Sequence, residues 1–338
     1  AMRFLSAYFS IQKSRGVILT GSNRMKERPI GILVEALKDL GATIEYLGNP
    51  GFPPLKISGK ELTNNKIRIS AQVSSQYISA LMLIAPKLPN GLEITLEGQI
   101  TSQPYIEMTL SLLNQLGVET SFNKNSIKIS SKPKVQPTKF IVESDWSSAS
   151  YFYSVIALSE IETDITLSSF KKNSLQADRI LVGIYKDLGV DTTFKNNSIT
   201  LKKSRPHTIQ NLVLNLTNSP DIAQTIAVTC FGLGISCELN GLHTLKIKET
   251  DRLTALKNEI EKLGGKLKIT GDSLTLENNS MILDSATITT YQDHRMAMAF
   301  APLALKTNLI IEEAEVVSKS YPNFWEDLKK LGFRISEI

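Results

Sequence analysis

The sequence predicts an α/β fold made of repeated units in which apolar helices are covered by small β-sheets. Amphipathic runs with apolar residues at i, i+3, i+4 and i+7 end in a Leu-Gly pair at intervals of roughly 68 to 76 residues. A second kind of run is small and apolar nearly all round, and it follows a polar entry near Ser74, Ser147, Asp221 and Asp293. Short β-rich segments with turn signals lie between these helices. Since the second helix type has no polar face, it must be buried, so the sheets must cover it.

Each unit of about 73 residues therefore contains a strand, a Leu-Gly helix, two strands and a buried helix. No Gly-x-Gly-x-x-Gly or P-loop motif follows a strand, which argues against a doubly wound nucleotide-binding fold. Turns are expected at 123–125 and 196–197, which are rich in asparagine. The Leu-Gly helices are expected to end at Gly41, Gly117, Gly189, Gly264 and Gly332. The predicted strands are 43–47, 67–69, 126–130, 191–194, 198–201, 266–269 and 273–276.

The repeat pattern also predicts how the chain is divided. Residues 1–11 occupy the position of a buried helix, so the chain is expected to open in the middle of a unit. The segment 133–137 begins and ends with proline and is the best candidate for a linker. Residues 141–145 are expected to form a strand that leads into the next buried helix. We therefore expect a first domain at 1–143 and a second at 144–338.

Composition excludes several classes of protein. A chain of 338 residues can form two full cores, and its formal net charge of +5 without a block of five like charges does not indicate nucleic-acid binding. The longest apolar runs are too short to span a bilayer. Cys230 and Cys237 form neither a Cys-x-x-Cys pair nor a disulfide framework, so we expect a reducing compartment. The three histidines are too scattered to indicate a metal site.

Cations gather where predicted helices begin. Arg24 precedes the first Leu-Gly helix, Lys248 and Arg252 flank the start of the fourth, Arg295 opens the last buried helix, and Lys319 precedes the last Leu-Gly helix. If the turn is helical, Lys248 and Arg252 share one face. One such motif alone is more typical of a solvated first turn. Recurrence in at least four units favours a cleft for a ligand that carries phosphate and carboxylate groups.

Carboxylates near these cations could supply acid and base chemistry. Asp221 is either the N-cap of an apolar helix or a catalytic group, and the two interpretations carry equal weight. Glu249 could also exchange protons, and Lys319 could donate one. The sequence has no Ser-His-Asp pattern, metal cluster or nucleotide loop. Catalysis by positioning and charge stabilisation is the mechanism that remains.

Motifs in order along the whole chain resemble those of 5-enolpyruvylshikimate-3-phosphate (EPSP) synthases. The resemblance implies the enolpyruvyl transferase fold, a two-domain inside-out α/β barrel of repeated βαβαββ units with three units per domain and helices buried within sheets. Six units would need about 440 residues, and the family's N-terminal Lys-Ser pair and Gly-Asn-Ala-Gly-Thr loop are not found, so we expect the N-terminal part to be lacking. The similar motifs lie at 24–31, 73–76, 102–105, 145–152, 220–221, 248–252, 293–298 and 319–322.

The resemblance implies transfer of the enolpyruvyl group of phosphoenolpyruvate to the 5-hydroxyl of shikimate 3-phosphate with release of phosphate, in the shikimate pathway to chorismate and aromatic amino acids. It implies that Asp221 takes the hydroxyl proton, that Lys319 or Glu249 handles the proton at the methylene carbon, and that the addition gives a tetrahedral intermediate. The implied phosphoenolpyruvate ligands are Arg24, Gln76, Arg252, His294, Arg295 and Lys319. The implied shikimate 3-phosphate ligands are Ser74, Ser75, Gln76, Ser102, Tyr105, Asp221 and Lys248.

We accordingly expect a cytoplasmic monomer that uses two small-molecule substrates, needs neither metal nor cofactor, and binds no nucleic acid or membrane. Two alternatives stay open. One is the enolpyruvyl transferase that acts on UDP-N-acetylglucosamine, which shares the fold but normally carries a loop cysteine near the Arg-Pro-rich helix, where neither Cys230 nor Cys237 lies. The other is a catalytically inactive remnant that only binds anions.

Overall fold

The structure is a computed structural model that describes residues 1–72, 74–278 and 281–338. Val73, the first residue of the motif at 73–76, lies outside the described residues. The chain forms two compact units, 1–140 and 141–338, each with its own hydrophobic core.

The first unit contains two sheets, one with the strand order β1-β3-β2 and the other with the order β4-β5-β7-β6. Its helices are α1 (Met2–Ser10), α2 (Asn23–Lys26), α3 (Gly31–Asp39), α4 (Ser75–Ile84) and α5 (Gln103–Gln115). Its strands are β1 (Gly16–Leu19), β2 (Thr43–Tyr46), β3 (Leu55–Ser58), β4 (Lys66–Ser70), β5 (Leu92–Glu97), β6 (Thr120–Asn123) and β7 (Ser126–Ile129).

The second unit contains sheets with the strand orders β8-β10-β9, β11-β12-β14-β13 and β15-β16. Its helices are α6 (Trp146–Leu158), α7 (Leu181–Asp187), α8 (Ala223–Leu233), α9 (Arg252–Lys262), α10 (His294–Phe300) and α11 (Phe324–Lys330). Its strands are β8 (Asp164–Ser168), β9 (Val190–Lys195), β10 (Ser198–Lys203), β11 (Asn211–Asn215), β12 (Ser236–Asn240), β13 (Leu267–Ile269), β14 (Ser273–Leu276), β15 (Ala286–Ile288) and β16 (Leu309–Ile311).

The two four-stranded sheets have the same topology, which confirms the predicted repeat. In each, the first two strands are parallel and joined through a buried helix, α4 or α8. The next helix, α5 or α9, leads into an antiparallel hairpin that pairs with the second strand. This βαβαββ arrangement is the α/β unit that the sequence predicts.

The apolar helices are buried, as expected. Every residue of α6 except Ser148 is buried, and α6, α8 and α10 pack against one another in the core of the second unit. Small hydroxyl side chains join α6 to α8: Ser150 contacts Thr225 at 3.1 Å, and Thr229 donates to Ser154 at 2.8 Å. Both pairs are separated by 75 residues, about one repeat, so equivalent positions of successive units face each other.

Helix α1 differs from the fully buried helix that was expected at residues 1–11. Its residues Met2 and Ala7 are buried, whereas Phe4, Leu5 and Tyr8 are exposed on another face. The elements that α1 contacts most, α4, β3 and α3, cover only the buried face. The position predicts the helix correctly but overestimates its burial.

Turn chemistry follows the sequence closely. The glycines of all five Leu-Gly pairs have φ between +73° and +100°, a conformation that glycine adopts at little cost, and each follows the end of a helix. Asn196 and Asn197, with φ of 50° and 58°, form the turn between β9 and β10.

The strand expected at 141–145 is wrong: among the described residues this segment pairs with no strand, and Ile141 and Val142 are exposed. In the described part of the chain, no helix combines the length and the apolar character that crossing a membrane requires.

Candidate active site

A buried arginine joins three segments of the second unit. Arg252 is the first residue of α9, where Asp251 caps the helix by accepting from the amides of Leu253 and Thr254. Its side chain is only 2% exposed. The guanidinium donates from Nε to Asp293 at 2.6 Å, from Nη1 to Asp221 at 2.9 Å and from Nη2 to Glu249 at 2.6 Å. One planar fork of donors thus fixes three carboxylates from three parts of the chain.

Asp221 is surrounded by cations. It lies in the short 3₁₀ helix Pro220–Ile222, whose N-cap is Ser219, so the N-cap interpretation of Asp221 is wrong. The Asp221 carboxylate lies 3.3 Å from Lys248 Nζ, 2.9 Å from Arg252 Nη1 and 3.6 Å from Arg295 Nη2. Burial raises the pKa of Asp221, but the charges of Lys248, Arg295 and Arg252 outweigh it and hold the pKa far below its usual range. The carboxylate is therefore ionised at neutral pH.

The start of α10 supplies the next part of the cluster. Asp293 is the N-cap, and its Oδ1 accepts from the amide of Arg295 at 2.9 Å. Arg295 Nη1 donates to the backbone oxygen of Asp221 at 3.2 Å. A cation at a helix N-terminus opposes the helix dipole, so Arg295 was expected to lie near an anion. The Asp221 carboxylate is that anion. His294 is largely buried, its Nδ1 has no hydrogen-bond partner, and burial and Arg295 lower its pKa, so it is neutral at neutral pH.

Lys248 belongs to the cluster, but its backbone conformation differs from the helical one that was considered. It follows the 3₁₀ helix His243–Ile247 with ψ of −145° and lies outside α9, so the turn is not helical and the condition for a shared helical face with Arg252 is not met. The two cations still meet, because both contact the Asp221 carboxylate. Lys319, at the end of the 3₁₀ helix Ala314–Lys319, donates to the backbone oxygen of Gln292 at 3.1 Å. Since Gln292 precedes Asp293, Lys319 lies at the same helix entry.

A buried carboxyl beside this cluster has no signal in the sequence. Asp178 is 1% exposed, accepts a hydrogen bond from the Ser147 hydroxyl, and has no partner for Oδ1. Burial raises its pKa from 3.8 to about 6, with a further increase from the charge of Asp221. Asp178 belongs to the short 3₁₀ helix Ala177–Ile180, and its environment is set by α6, which is distant in sequence.

In the first unit, the structure brings part of the predicted set together at the start of α4. Ser74 is the N-cap, and its Oγ accepts from the amide of Gln76 at 3.3 Å, with Ser75 between them. Gln76 Oε1 accepts from Arg3 Nη1 at 3.0 Å. Arg3 was not singled out from the sequence, because nothing in its surroundings resembles the other helix entries. Arg24 lies in the short α2 and pairs with Glu27 at 2.8 Å.

Ser102 and Tyr105 lie at the start of α5, next in the chain after β5. Ser102 adopts a left-handed conformation with φ of 55° and does not cap the helix with its side chain. Helix α5 packs against α4 through a hydrogen bond between Ser79 and Thr109 at 2.9 Å. The serine-rich starts of α4 and α5 thus belong to neighbouring elements of one unit. Among the described residues, no group of three or more histidines, cysteines or carboxylates could hold a metal ion.

Comparison with known proteins agrees with this architecture. The EPSP synthase (3-phosphoshikimate 1-carboxyvinyltransferase) family matches residues 1–328. The chain is similar to 3-phosphoshikimate 1-carboxyvinyltransferase of Bacteroides fragilis, with 46% identity over 99% of this chain and 82% of the relative. It is also similar to that of Haemophilus influenzae, with 34% identity over 98% of this chain and 77% of the relative.

A solved structure of EPSP synthase from Acinetobacter baumannii has a similar fold. It superposes with a TM-score of 0.78 at 24% identity, over 97% of this chain and 76% of the other. The repeated strand order, the βαβαββ unit and the family match along nearly the whole sequence lead to one assignment. The chain belongs to the EPSP synthase family.

Proposed function

We propose that the chain transfers the enolpyruvyl group of phosphoenolpyruvate to the 5-hydroxyl of shikimate 3-phosphate and releases phosphate. The observation that carries this proposal is the cluster around Arg252. It gathers the cations Lys248, Arg252 and Arg295, with Lys319 at the same helix entry, around carboxylates that are partly accessible. Such a site suits a substrate that carries phosphate and carboxylate groups.

The accessible edge of the cluster indicates where a substrate would bind. Arg252 is enclosed, whereas the side chains of Lys248, Asp221 and Glu249 are 28%, 25% and 20% exposed. A phosphate or carboxylate would approach Lys248 and Arg295 and compete with Asp221 for them. Besides its proposed contact with phosphoenolpyruvate, Arg252 would hold the carboxylates in place, which keeps the site organised before substrate arrives.

This competition bears on the role of Asp221 as a base. With the three cations facing it, Asp221 is ionised but weakly basic. When an anionic substrate offsets the charges of Lys248 and Arg295, the pKa of Asp221 rises and its carboxylate accepts the hydroxyl proton more readily. The acceptor hydroxyl attacks the enolpyruvyl carbon while a proton is delivered to the methylene carbon. Lys319 and Glu249 are the groups we assign to that proton.

Elimination of phosphate from the resulting tetrahedral intermediate reverses the proton transfer at the methyl carbon and regenerates the double bond in the product. The remaining predicted ligands complete this assignment as proposals. His294, which is neutral, joins the phosphoenolpyruvate group together with Arg24 and Gln76. The proposed shikimate 3-phosphate group combines Asp221 and Lys248 with the donors at the starts of α4 and α5, which are Ser74, Ser75, Gln76, Ser102 and Tyr105.

We also propose that the protein acts as a monomer in the cytoplasm. Its two cysteines, Cys230 and Cys237, are buried free thiols, which suits a reducing compartment. Light scattering after size exclusion should give the chain mass of 37.4 kDa. A mass twice that value would reject the monomer.

A phosphate-release assay with both substrates tests the catalytic proposal. We expect release that requires phosphoenolpyruvate and shikimate 3-phosphate together. The control replaces shikimate 3-phosphate with UDP-N-acetylglucosamine and should give no release. Release with the nucleotide sugar would transfer the assignment to the sister enzyme. Binding of phosphoenolpyruvate without any release would favour an inactive anion-binding protein.

A further inference from the structure

The loop that leads into α10 is held in an unfavourable conformation. Residues 289–293 connect β15 to α10, and within them Tyr291 and Gln292 have φ of 54° and 56°. Two consecutive non-glycine residues in the left-handed region cost free energy because the β-carbon approaches the following carbonyl oxygen. Such a turn persists only when its surroundings hold it in place.

This loop presents two groups to the candidate active site. The backbone oxygen of Gln292 accepts from Lys319 Nζ at 3.1 Å. The carboxylate of Asp293 accepts from Arg252 Nε at 2.6 Å. The left-handed turn therefore determines where Lys319 and the Arg252 guanidinium find their partners. A relaxed turn would move both contacts together.

Glu259 contacts this turn from α9, in addition to the backbone hydrogen bond that the amide of Asp293 donates to Thr290 at 2.9 Å. It lies on α9 two helical turns after Arg252, on the same face, and has no exposed surface. Its carboxylate accepts from the Tyr291 hydroxyl at 2.7 Å and from the Thr289 amide at 3.1 Å. Lys262 Nζ donates to Glu259 at 2.7 Å and also to Thr289 Oγ1 at 3.3 Å. Helix α9 thus contacts the loop at both ends: Glu259 bonds to Thr289 at its start, and Arg252 bonds to Asp293 at its end.

A buried carboxylate is costly unless its oxygens are hydrogen-bonded, and here the hydroxyl, the amide and the ammonium replace water. None of the groups that contact Glu259 belongs to the predicted catalytic or substrate-binding set. Stability alone does not call for a buried carboxylate, since apolar residues of similar volume usually serve at least as well. The directional bonds to Tyr291 and Thr289 are what a carboxylate provides and an apolar side chain cannot.

We propose that Glu259 is a positioning residue that, through Tyr291 and Thr289, keeps the 291–292 turn left-handed and so fixes Lys319 and Arg252 for binding of phosphoenolpyruvate. This inference rests on the proposed function. Glu259 itself lies too far inside the protein to touch substrate. Its effect is therefore expected in the use of one substrate rather than in both.

The test compares Glu259→Gln and Tyr291→Phe with Glu261→Gln, a control on the exposed side of the same helix. Steady-state kinetics are measured separately for each substrate, and thermal unfolding confirms that each variant is folded. For Glu259→Gln we expect the KM for phosphoenolpyruvate to rise about fivefold or more and kcat to fall about tenfold, with the KM for shikimate 3-phosphate within about twofold. Tyr291→Phe should change the same parameters less, and Glu261→Gln should change none.

A merely structural role would lower the active fraction, which reduces the apparent kcat and leaves both KM values unchanged. That outcome overturns the proposal, as does an unchanged Glu259→Gln variant. If the unmodified chain and Glu261→Gln both release no phosphate, the proposed function fails instead. Hydrogen exchange of the segment 286–295 and calorimetric binding of phosphoenolpyruvate then decide: faster exchange and weaker binding in Glu259→Gln support positioning, and equal values reject it.

Discussion

Replacing Arg252 with lysine should destabilise the second unit although it preserves the charge. The guanidinium makes charge-assisted hydrogen bonds with three carboxylates and is 2% exposed. One ammonium on a flexible stem can retain a single close partner among groups that lie around a planar fork. The other carboxylates would remain close together, and less positive charge would offset their mutual repulsion. With about 1.5 to 3 kcal/mol per hydrogen bond to a charged group, two lost bonds give about 3 to 6 kcal/mol.

Urea unfolding followed by tryptophan fluorescence measures this loss, because Trp146 and Trp325, the two tryptophans of the chain, both lie in the second unit. The matched control is Arg205→Lys. Arg205 also donates to a carboxylate, that of Asp191 at 3.1 and 3.2 Å, but both side chains are more than a third exposed. Solvent screening should limit the loss in free energy of unfolding of Arg205→Lys to less than about 1 kcal/mol. Equal losses in free energy of unfolding for the two variants would refute the argument that the Arg252 fork organises buried charge.

Asp221→Ala should lower kcat about 100-fold in the phosphate-release assay, while Asp191→Ala leaves it unchanged; equal rates for the two would remove Asp221 from the mechanism. Lys319→Ala should lower kcat by a similar factor, whereas the exposed Lys306→Ala should not, and full activity of the former would reject the proton assignment. Because burial raises the pKa of Asp178 to about 6, the folded state binds this proton more tightly than the unfolded chain, so stability decreases as pH rises from about 4 to 6. Relative to the unmodified protein, Asp178→Asn should therefore gain about 2 kcal/mol in free energy of unfolding between pH 4 and pH 7.5, and a pH-independent difference would contradict the burial argument.

The repeat architecture was predictable because it is set by local rules. Helix periodicity, the glycine that ends each Leu-Gly helix, and the Asn196-Asn197 turn act over a few residues and therefore leave a visible pattern. The strand expected at 141–145 failed for a related reason. Its apolar residues satisfy the local pattern, but a strand also needs a neighbour. Among the described residues this segment pairs with no strand, although the amide of Ser144 donates to the carbonyl of Ser169 just after β8.

The cation cluster of the candidate site was predictable in its members rather than in its geometry. Cations at helix entries identified Arg252, Lys248 and Arg295 correctly as groups of one cluster. Lys248 was expected to share a face with Arg252 only if the turn were helical, whereas a non-helical backbone brings it to Asp221. Glu259 gave no signal, because a glutamate in an amphipathic helix is ordinarily solvated, and only the loop that covers α9 makes it buried. Long-range packing of this kind is not encoded in any short window of sequence.

The hydroxyl contacts between α6 and α8 tie consecutive copies of the repeat to each other. Ser150 faces Thr225 and Ser154 faces Thr229, so each copy completes the hydrogen bonding of its neighbour. Replacing one of these hydroxyls by an apolar group would leave its partner in the next copy without that hydrogen bond. A change in one copy of the repeat must therefore be matched by a change in the next.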